Sequence, residues 1–172
     1  MLKRKTKTTL LEEFDSCGGE VGSGAFGSVV LRKLKGQVVA VKIFNINADD
    51  SCQKQILMKE AKVMGNLRQH ICLPTMIGVS IDFSPYKLIM NFCSFEGGAE
   101  NMYSLLKKKV HFPQMNEILF NIADALQTVH LSGYLHNDIK LDNIVIRGNK
   151  NNMIPVLIDF NKCTKKNERK TL

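Results

Sequence analysis

The chain contains no apolar run long enough to cross a membrane, and we expect no membrane partner. The short apolar stretch at residues 9–11 is too brief for the core of a signal peptide, and two acidic residues follow it at once. The five cysteines are scattered and form no Cys-x-x-Cys pair. That pattern argues against a disulfide framework or a zinc site and favours reduced thiols. We therefore expect a cytoplasmic protein, with a nuclear location as the alternative.

Acidic residues are in the minority, with 16 Asp and Glu against 24 Lys and Arg, which gives a net charge of +8. The excess lies at the chain ends and in the basic run at residues 107–109. The ends lack the interleaved aromatic residues on which nucleic-acid bases stack. A solvated basic surface therefore explains the charge better than nucleic-acid binding does. Residues 1–13 are predicted to be a basic, flexible segment, followed by one domain over residues 14–172.

A glycine-rich segment is the first motif. Gly22, Gly24 and Gly27 form a G-x-G-x-x-G pattern, which the dinucleotide-binding fold also uses. In that fold the last glycine opens a helix, whereas residues 28–34 here are β-branched and strand-like. A turn then leads into a second strand over residues 38–44. Glycines between two strands let backbone N–H groups approach phosphate oxygens, although an ordinary glycine-rich hairpin is the alternative.

A lysine lies within the second of these strands. Lys42 is flanked by apolar residues, where an ammonium group is unfavourable unless it meets an anion. A helix is predicted at about residues 49–67, because acidic residues suit its first turn and Ile56, Met64 and Leu67 share one face. Glu60 on this helix is the candidate partner of Lys42, and a solvated glutamate is the alternative.

Further strands are predicted at residues 75–80 and 86–90, followed by a short helix at about 100–109. A longer helix is expected from near Pro113 to about residue 132, because apolar residues recur there at steps of three and four. The predicted buried face of this helix consists of Met115, Ile118, Leu119, Ile122, Ala125, Leu126 and Val129.

A polar loop over residues 136–143 lies between two apolar, strand-like runs. Within this loop Asp138 offers a base, Lys140 a cation and Asn143 an amide that can bind a metal ion. A later apolar run ends at Asp159. A base, a cation and oxygen donors for a metal ion are the groups that phosphoryl transfer requires.

Taken together, these motifs resemble the eukaryotic-type Ser/Thr protein kinase family over about residues 14–162. The resemblance implies an α+β, protein kinase-like bilobal fold with ATP bound between its lobes. The small lobe and hinge would span residues 14–93, and an incomplete helical large lobe would span residues 94–172. It further implies ATP and Mg²⁺ as cofactors and a protein Ser/Thr hydroxyl as substrate, because Lys140 stands where that specificity places a lysine.

The resemblance also assigns roles to individual residues. Asp138 and Lys140 would be catalytic, and Asn143 and Asp159 would bind Mg²⁺. The residues expected to bind ATP are Val21, Gly22, Gly24, Gly27, Val29, Ala40, Lys42, Glu60, Met90, Asn91 and Cys93. Met90 would be the gatekeeper, and the backbone of residues 91–93 would face adenine. The Cys93 thiol is expected to be packed and inert.

Three features depart from the family pattern. Asn137 replaces the usual arginine, so activation through a phosphorylated loop is not expected. Asn161 replaces the glycine after Asp159 and Phe160; asparagine tolerates the positive φ that this position would need. The third feature is the end of the domain, where residues 162–172 are expected to be disordered. The kinase domain would then be truncated within its large lobe and have little activity alone.

Truncation would leave the long helix partly uncovered and able to meet a protein partner. The alternative function is therefore a non-catalytic, nucleotide-binding pseudokinase or scaffold module. His136 is expected to pack and to bond to the backbone rather than to transfer protons, and Phe160 is expected to pack against Met64 and His136.

Overall fold

The computed structural model describes residues 14–24, 27–44, 50–108 and 115–167. The chain divides into two units, one of residues up to Gly65 with Thr75–Phe92, the other of Asn66–Pro74 with Cys93 onwards. The boundary predicted after residue 93 lies within one residue of the second division, and residues 66–74 belong to the second unit. Among the described residues, every helix is too short or too polar to cross a bilayer.

The part of the first unit that the structure describes is built on an antiparallel sheet and one helix. The strands are β1 (Phe14–Gly24), β2 (Gly27–Leu34), β3 (Gln37–Phe44), β4 (Met76–Ser80) and β5 (Lys87–Asn91), and the helix is α1 (Asp50–Asn66). The strand order in the sheet is β1-β2-β3-β5-β4. The predicted strands and helix are all present, with ends shifted by one or two residues.

Strand β3 lies at the centre of the sheet and is buried on both faces. Val39 and Val41 form a core with Ile89 of β5, while Ala40 and Lys42 point to the other face and are buried as well. A strand covered on both faces is a nearly continuous apolar run, which is the pattern that Lys42 interrupts.

Helix α1 buries a face that shares Met64 with the predicted one but is centred on other residues. Leu57, Ala61 and Met64 are buried, whereas Ile56 and Leu67 are only half-buried. Leu57, Ala61 and Met64 follow steps of four and three residues, which place them on one side of a helix.

Gly27 is required by the close approach of two strands. Its φ is +142°, and an added Cβ would lie 2.0 Å from the carbonyl oxygen of Ile43 on β3. No side chain fits there, so this third glycine of the motif serves the β2–β3 pairing.

In its described residues the second unit contains two helices and two small strand pairs. These elements are α2 (Met102–Lys107), α3 (Met115–Leu131), β6 (Tyr134–Leu135), β7 (Ile144–Asn149), β8 (Asn152–Leu157) and β9 (Thr164–Lys165). Strand β7 pairs with β8, and β6 pairs with β9, both antiparallel. A 3-10 turn, Leu141–Asn143, precedes β7. Helix α2 is shorter than predicted, and Pro113 lies outside the described residues.

Helix α3 packs against β8 through a narrower stripe than the sequence predicts. Ile118, Ala125 and Val129 are buried, but Leu119 is 59% exposed, so its assignment to the buried face is wrong. Each residue turns about 100° around a helix, which places Leu119 at the edge of the stripe centred on Ile118. Phe120 is 70% exposed on the same helix.

The segment at residues 162–167 is ordered, so the predicted disorder is wrong there; residues 168–172 lie outside the described part. Cys163 is 1% exposed, and β9 pairs with β6. The Lys166 N–H donates to the carbonyl oxygen of Gly133 at 3.0 Å. One buried cysteine and a two-residue pairing give no periodic signal within a polar run.

Candidate active site

The lysine of β3 and the glutamate of α1 form a buried ion pair. Lys42 Nζ donates to Glu60 Oε1 at 3.1 Å and to Oε2 at 2.8 Å. Their side chains are only 11% and 2% exposed. The two charges compensate each other in a site where either alone would be strongly unfavourable. The pairing expected from the sequence is therefore present, and ATP contact by either residue remains a prediction.

The first two glycines of the motif leave open space beside their backbone. Cβ atoms added at Gly22 and Gly24 would have nothing within 4 Å. In the ladder Gly22 lies opposite Val29, and Val29 lies opposite Lys42. The glycine backbone has no side chains that would keep phosphate oxygens away, and it lies in register with a lysine. These residues therefore fit the nucleotide that the sequence predicts. Val21 is 38% exposed at the same place.

The predicted hinge begins at the end of β5. Met90 is half-buried and lies opposite the buried Ala40 in the β3–β5 ladder. The Asn91 N–H donates to the Thr75 carbonyl oxygen at 3.0 Å, and Asn91 Oδ1 accepts from Thr75 N–H at 2.6 Å. Because that N–H is already used, adenine would have to meet other backbone groups of residues 91–93.

Cys93 is 7% exposed and belongs to the second unit. Burial raises the pKa of its thiol, and the charge of Arg147 opposes that effect only in part. A thiol with a raised pKa stays protonated at neutral pH and reacts slowly. The packed, inert cysteine expected from the sequence agrees with this environment.

Asp138 is surrounded by three donors. Its Oδ2 accepts from Asn143 Nδ2 at 3.0 Å, and its Oδ1 accepts from Lys162 Nζ at 3.0 Å. Lys140 Nζ lies 3.6 Å from Oδ2. The hydrogen bond from Lys162 is the main cause that lowers the pKa of Asp138; burial opposes it, and Asn143 and Lys140 add to the lowering. The carboxylate is therefore ionised at neutral pH.

The chain segments that carry Asn143 and Asp159 are joined by a backbone hydrogen bond. The Ile158 N–H donates to the Asn143 carbonyl oxygen at 2.9 Å, which places Asp159 next to that contact. Asn143 Nδ2 also donates to the Asp138 carbonyl oxygen at 2.9 Å, so its Oδ1 is the atom left for a metal ion. An amide and a carboxylate oxygen are donors that Mg²⁺ accepts alongside substrate phosphates, so the residues present fit this ion.

Positive φ occurs at two residues of this site, Asn137 at 63° and Asp159 at 68°, and not at Asn161. Residue 161 therefore does not need the positive φ that asparagine tolerates better than most residues. That reason for an asparagine in place of glycine does not apply here. Asn161 is instead buried, and its Oδ1 has no hydrogen-bond partner among the described residues.

His136 connects the loop to the end of β8. Its ring is 1% exposed, Nδ1 accepts from Asp138 N–H at 3.3 Å, and Nε2 lies 3.1 Å from the Ile158 carbonyl oxygen. A ring that accepts at Nδ1 carries its proton at Nε2, so Nε2–H donates to Ile158. Burial lowers the pKa of His136. The Phe160 ring stands edge-on at 5.0 Å, as expected for a packing role.

Three contacts of this site have no signal in the sequence. Asn137 Nδ2 donates to the Lys162 carbonyl oxygen at 3.2 Å and to Thr164 Oγ1 at 2.9 Å. Lys162 in turn reaches Asp138. None of these contacts has a characteristic spacing, because the partners lie more than 20 residues apart and meet only through the β6–β9 pairing.

The strand that begins at Gly27 excludes a dinucleotide-binding turn, and the loop and the ion pair contain the groups that phosphoryl transfer requires. The sequence matches the family described as protein kinase domain over residues 16–172, and the chain belongs to that family. The family and the α+β fold predicted from the sequence are thus confirmed.

Curated relatives agree with this assignment. The chain is 33% identical over 150 residues to maternal embryonic leucine zipper kinase of Danio rerio, covering 84% of this chain and 21% of that protein. It is 29% identical to serine/threonine-protein kinase Tao of Drosophila melanogaster, covering 76% of this chain and 12% of that protein. CDPK-related kinase 4 of Arabidopsis thaliana is 29% identical, with 83% and 25% covered. The chain therefore spans a quarter or less of each of these relatives.

Proposed function

We propose that this protein kinase uses ATP and Mg²⁺ and transfers the γ-phosphate to Ser or Thr hydroxyls of proteins. The observation that carries the proposal is the cluster in which Asp138, Lys140 and Asn143 meet beside the residue that precedes Asp159. The buried Lys42–Glu60 pair supports it. These relatives are several times longer than this chain. Whatever is said of the activity, substrates and partners of the whole protein is therefore proposed.

Each group has a role that its environment suits. Asp138, ionised at neutral pH, would orient the substrate hydroxyl and accept its proton. Lys140 would neutralise charge on the transferred phosphate, and Lys42 would bind the other phosphates. Asn143 and Asp159 would hold Mg²⁺, which supplies further neutralisation of that charge. Catalysis would then rest on positioning and electrostatics.

The Ser/Thr preference is proposed on two grounds. Lys140 follows Asp138 by two residues, as in kinases of that specificity. In addition, one relative carries the name serine/threonine-protein kinase Tao.

The test is phosphate transfer from γ-labelled ATP to general protein substrates in the presence of Mg²⁺. Asp138→Asn should reduce the rate by roughly 10²–10⁴-fold, because a positioned general base typically contributes that much. Asp142→Asn, an exposed change on the same loop, is the matched control and should leave the rate unchanged. Transfer that persists unchanged in Asp138→Asn contradicts the assigned role.

A non-catalytic nucleotide-binding or scaffold module is the second candidate. It is favoured by the exposed apolar residues Leu119, Phe120 and Leu131 on α3, which a protein partner would cover, and by the occupied oxygens of Asp138. ATP binding without transfer to any substrate would select this alternative.

We also propose a cytoplasmic or nuclear location, supported by five free cysteines and testable by imaging a fluorescent fusion.

A further inference from the structure

The side chain of Lys162 lies where a substrate hydroxyl would have to come. A hydroxyl that gives its proton to Asp138 must approach one carboxylate oxygen to within about 2.6–3.2 Å. Lys162 Nζ already lies 3.0 Å from Oδ1, and the Asn143 amide lies 3.0 Å from Oδ2. Asn143 is buried and also held by the Asp138 carbonyl oxygen, so Lys162 is the donor that can leave.

The backbone of Lys162 is fixed while its side chain is able to move. Asn137 Nδ2 donates to the Lys162 carbonyl oxygen, and the neighbouring Cys163 is buried. The Lys162 side chain, in contrast, is 50% exposed. An exposed ion pair of this kind is weak and exchanges partners readily. Substrate binding therefore requires a rotation of one side chain and no rearrangement of the chain.

A displaced ammonium group is best accommodated by another anion. Lys140 is the second cation beside Asp138, but its proposed partner is the transferred phosphate. Lys162 has no such partner among the proposed contacts of ATP. An acidic side chain on the substrate would give Lys162 a new ion pair at the moment when the hydroxyl takes its place on Asp138.

We propose that Lys162 is a specificity-determining residue that selects hydroxyls with an acidic side chain one or two residues away in the substrate. This inference rests on the proposed function, since it requires Asp138 to receive a substrate hydroxyl. The distance follows from the geometry: Lys162 Nζ and the hydroxyl would both lie about 3 Å from one carboxylate. Residues one or two positions apart in an extended peptide are separated by about 4–7 Å, which the lysine side chain can span.

The test is direct binding of two fluorescein-labelled peptides to the full chain at low salt, followed by fluorescence anisotropy. Each peptide carries one serine, flanked on both sides by two glutamates in the first peptide and by two glutamines in the second. The glutamate peptide should bind roughly two- to fivefold more tightly, as expected for one exposed ion pair.

Lys162→Met should abolish this preference, and Lys162→Arg should keep it. Lys166→Met removes the same charge from an exposed site on the same segment and should also keep it. Equal binding of the two peptides by the unmodified chain, or a preference that survives in Lys162→Met, overturns the proposal.

Phosphate transfer to the same two peptides separates this inference from the proposed function. Transfer without any preference between the peptides rejects the role of Lys162 and supports the kinase activity. A Lys162-dependent binding preference without transfer shows only that Lys162 contacts an acidic peptide; it rejects the catalytic function and, with it, the selection of a hydroxyl for Asp138.

Discussion

Lys42 and Glu60 compensate each other's charge inside the first unit. An ammonium group in an apolar strand requires an anion, and the following helix offers a glutamate at the right position. The structure joins the two by a pair of hydrogen bonds at 2.8 and 3.1 Å. Burial of the ammonium group therefore requires this pairing, in addition to any role that the pair has in function.

Removing one partner of this pair should be far more harmful than removing both. Glu60→Leu leaves the Lys42 charge buried without its carboxylate and should lower the free energy of unfolding by about 3–5 kcal/mol. The double variant Lys42→Met, Glu60→Leu should be close to the unmodified chain. Urea denaturation measures both. Lys150→Met, which breaks an exposed pair with Glu96, should cost less than about 1 kcal/mol. A single-variant cost no larger than that of Lys150→Met would show that the pair is not buried in solution.

His136 should make stability depend on pH. Burial lowers the pKa of His136 in the folded chain, whereas the unfolded chain keeps a value near 6.5. The unfolded state therefore binds the extra proton first. The contribution to stability is complete above about pH 6.5 and is lost as the pH falls toward the lower folded pKa.

The measurement is the free energy of unfolding between pH 7.5 and 5. His136→Gln should flatten the decrease toward acid pH, and His130→Gln, a control on α3, should leave it in place. An identical decrease in His136→Gln and in the unmodified chain would contradict the role given to this ring.

At the scale of elements, helix α3 separates buried from exposed apolar residues. Ile118→Ala should lower the free energy of unfolding by about 2–5 kcal/mol, because the side chain is 1% exposed on a helix that packs against β8. Leu119→Ala, next in sequence and 59% exposed, should change it by less than about 0.5 kcal/mol. Chemical denaturation compares the two. Equal effects would place Leu119 in a buried contact, as the sequence alone suggested.

Most elements were predictable because their local patterns are strong. β-branched runs and turn residues locate β2 and β3, and apolar steps of three and four locate α3. Strand β9 was missed because two residues in a polar segment carry no pattern, and its pairing with β6 is a tertiary effect. The contacts of Asn137 and Lys162 depend on that pairing and were missed with it.

For the molecule as a whole, the candidate groups are divided between the two units. The first unit holds Lys42, Glu60 and the open backbone at Gly22 and Gly24. The second unit holds Asp138 and two oxygen donors, Asn143 before β7 and Asp159 after β8. The proposed function assigns ATP and Mg²⁺ to residues of each unit, so the central claim is that a change in either unit weakens nucleotide binding.

A thermal-shift titration with ATP and Mg²⁺ tests this claim most directly. A ligand that binds only the folded state raises the melting temperature, by roughly 3–6 °C for a chain of this size at ten times Kd. The shift should be strongly reduced in Asp159→Asn, in the second unit. It should also be reduced in the Lys42→Met, Glu60→Leu double variant, in the first unit. The Asp142→Asn control should retain it. No shift in the folded, unmodified chain, or a shift that survives in either of the two site variants, would contradict the account.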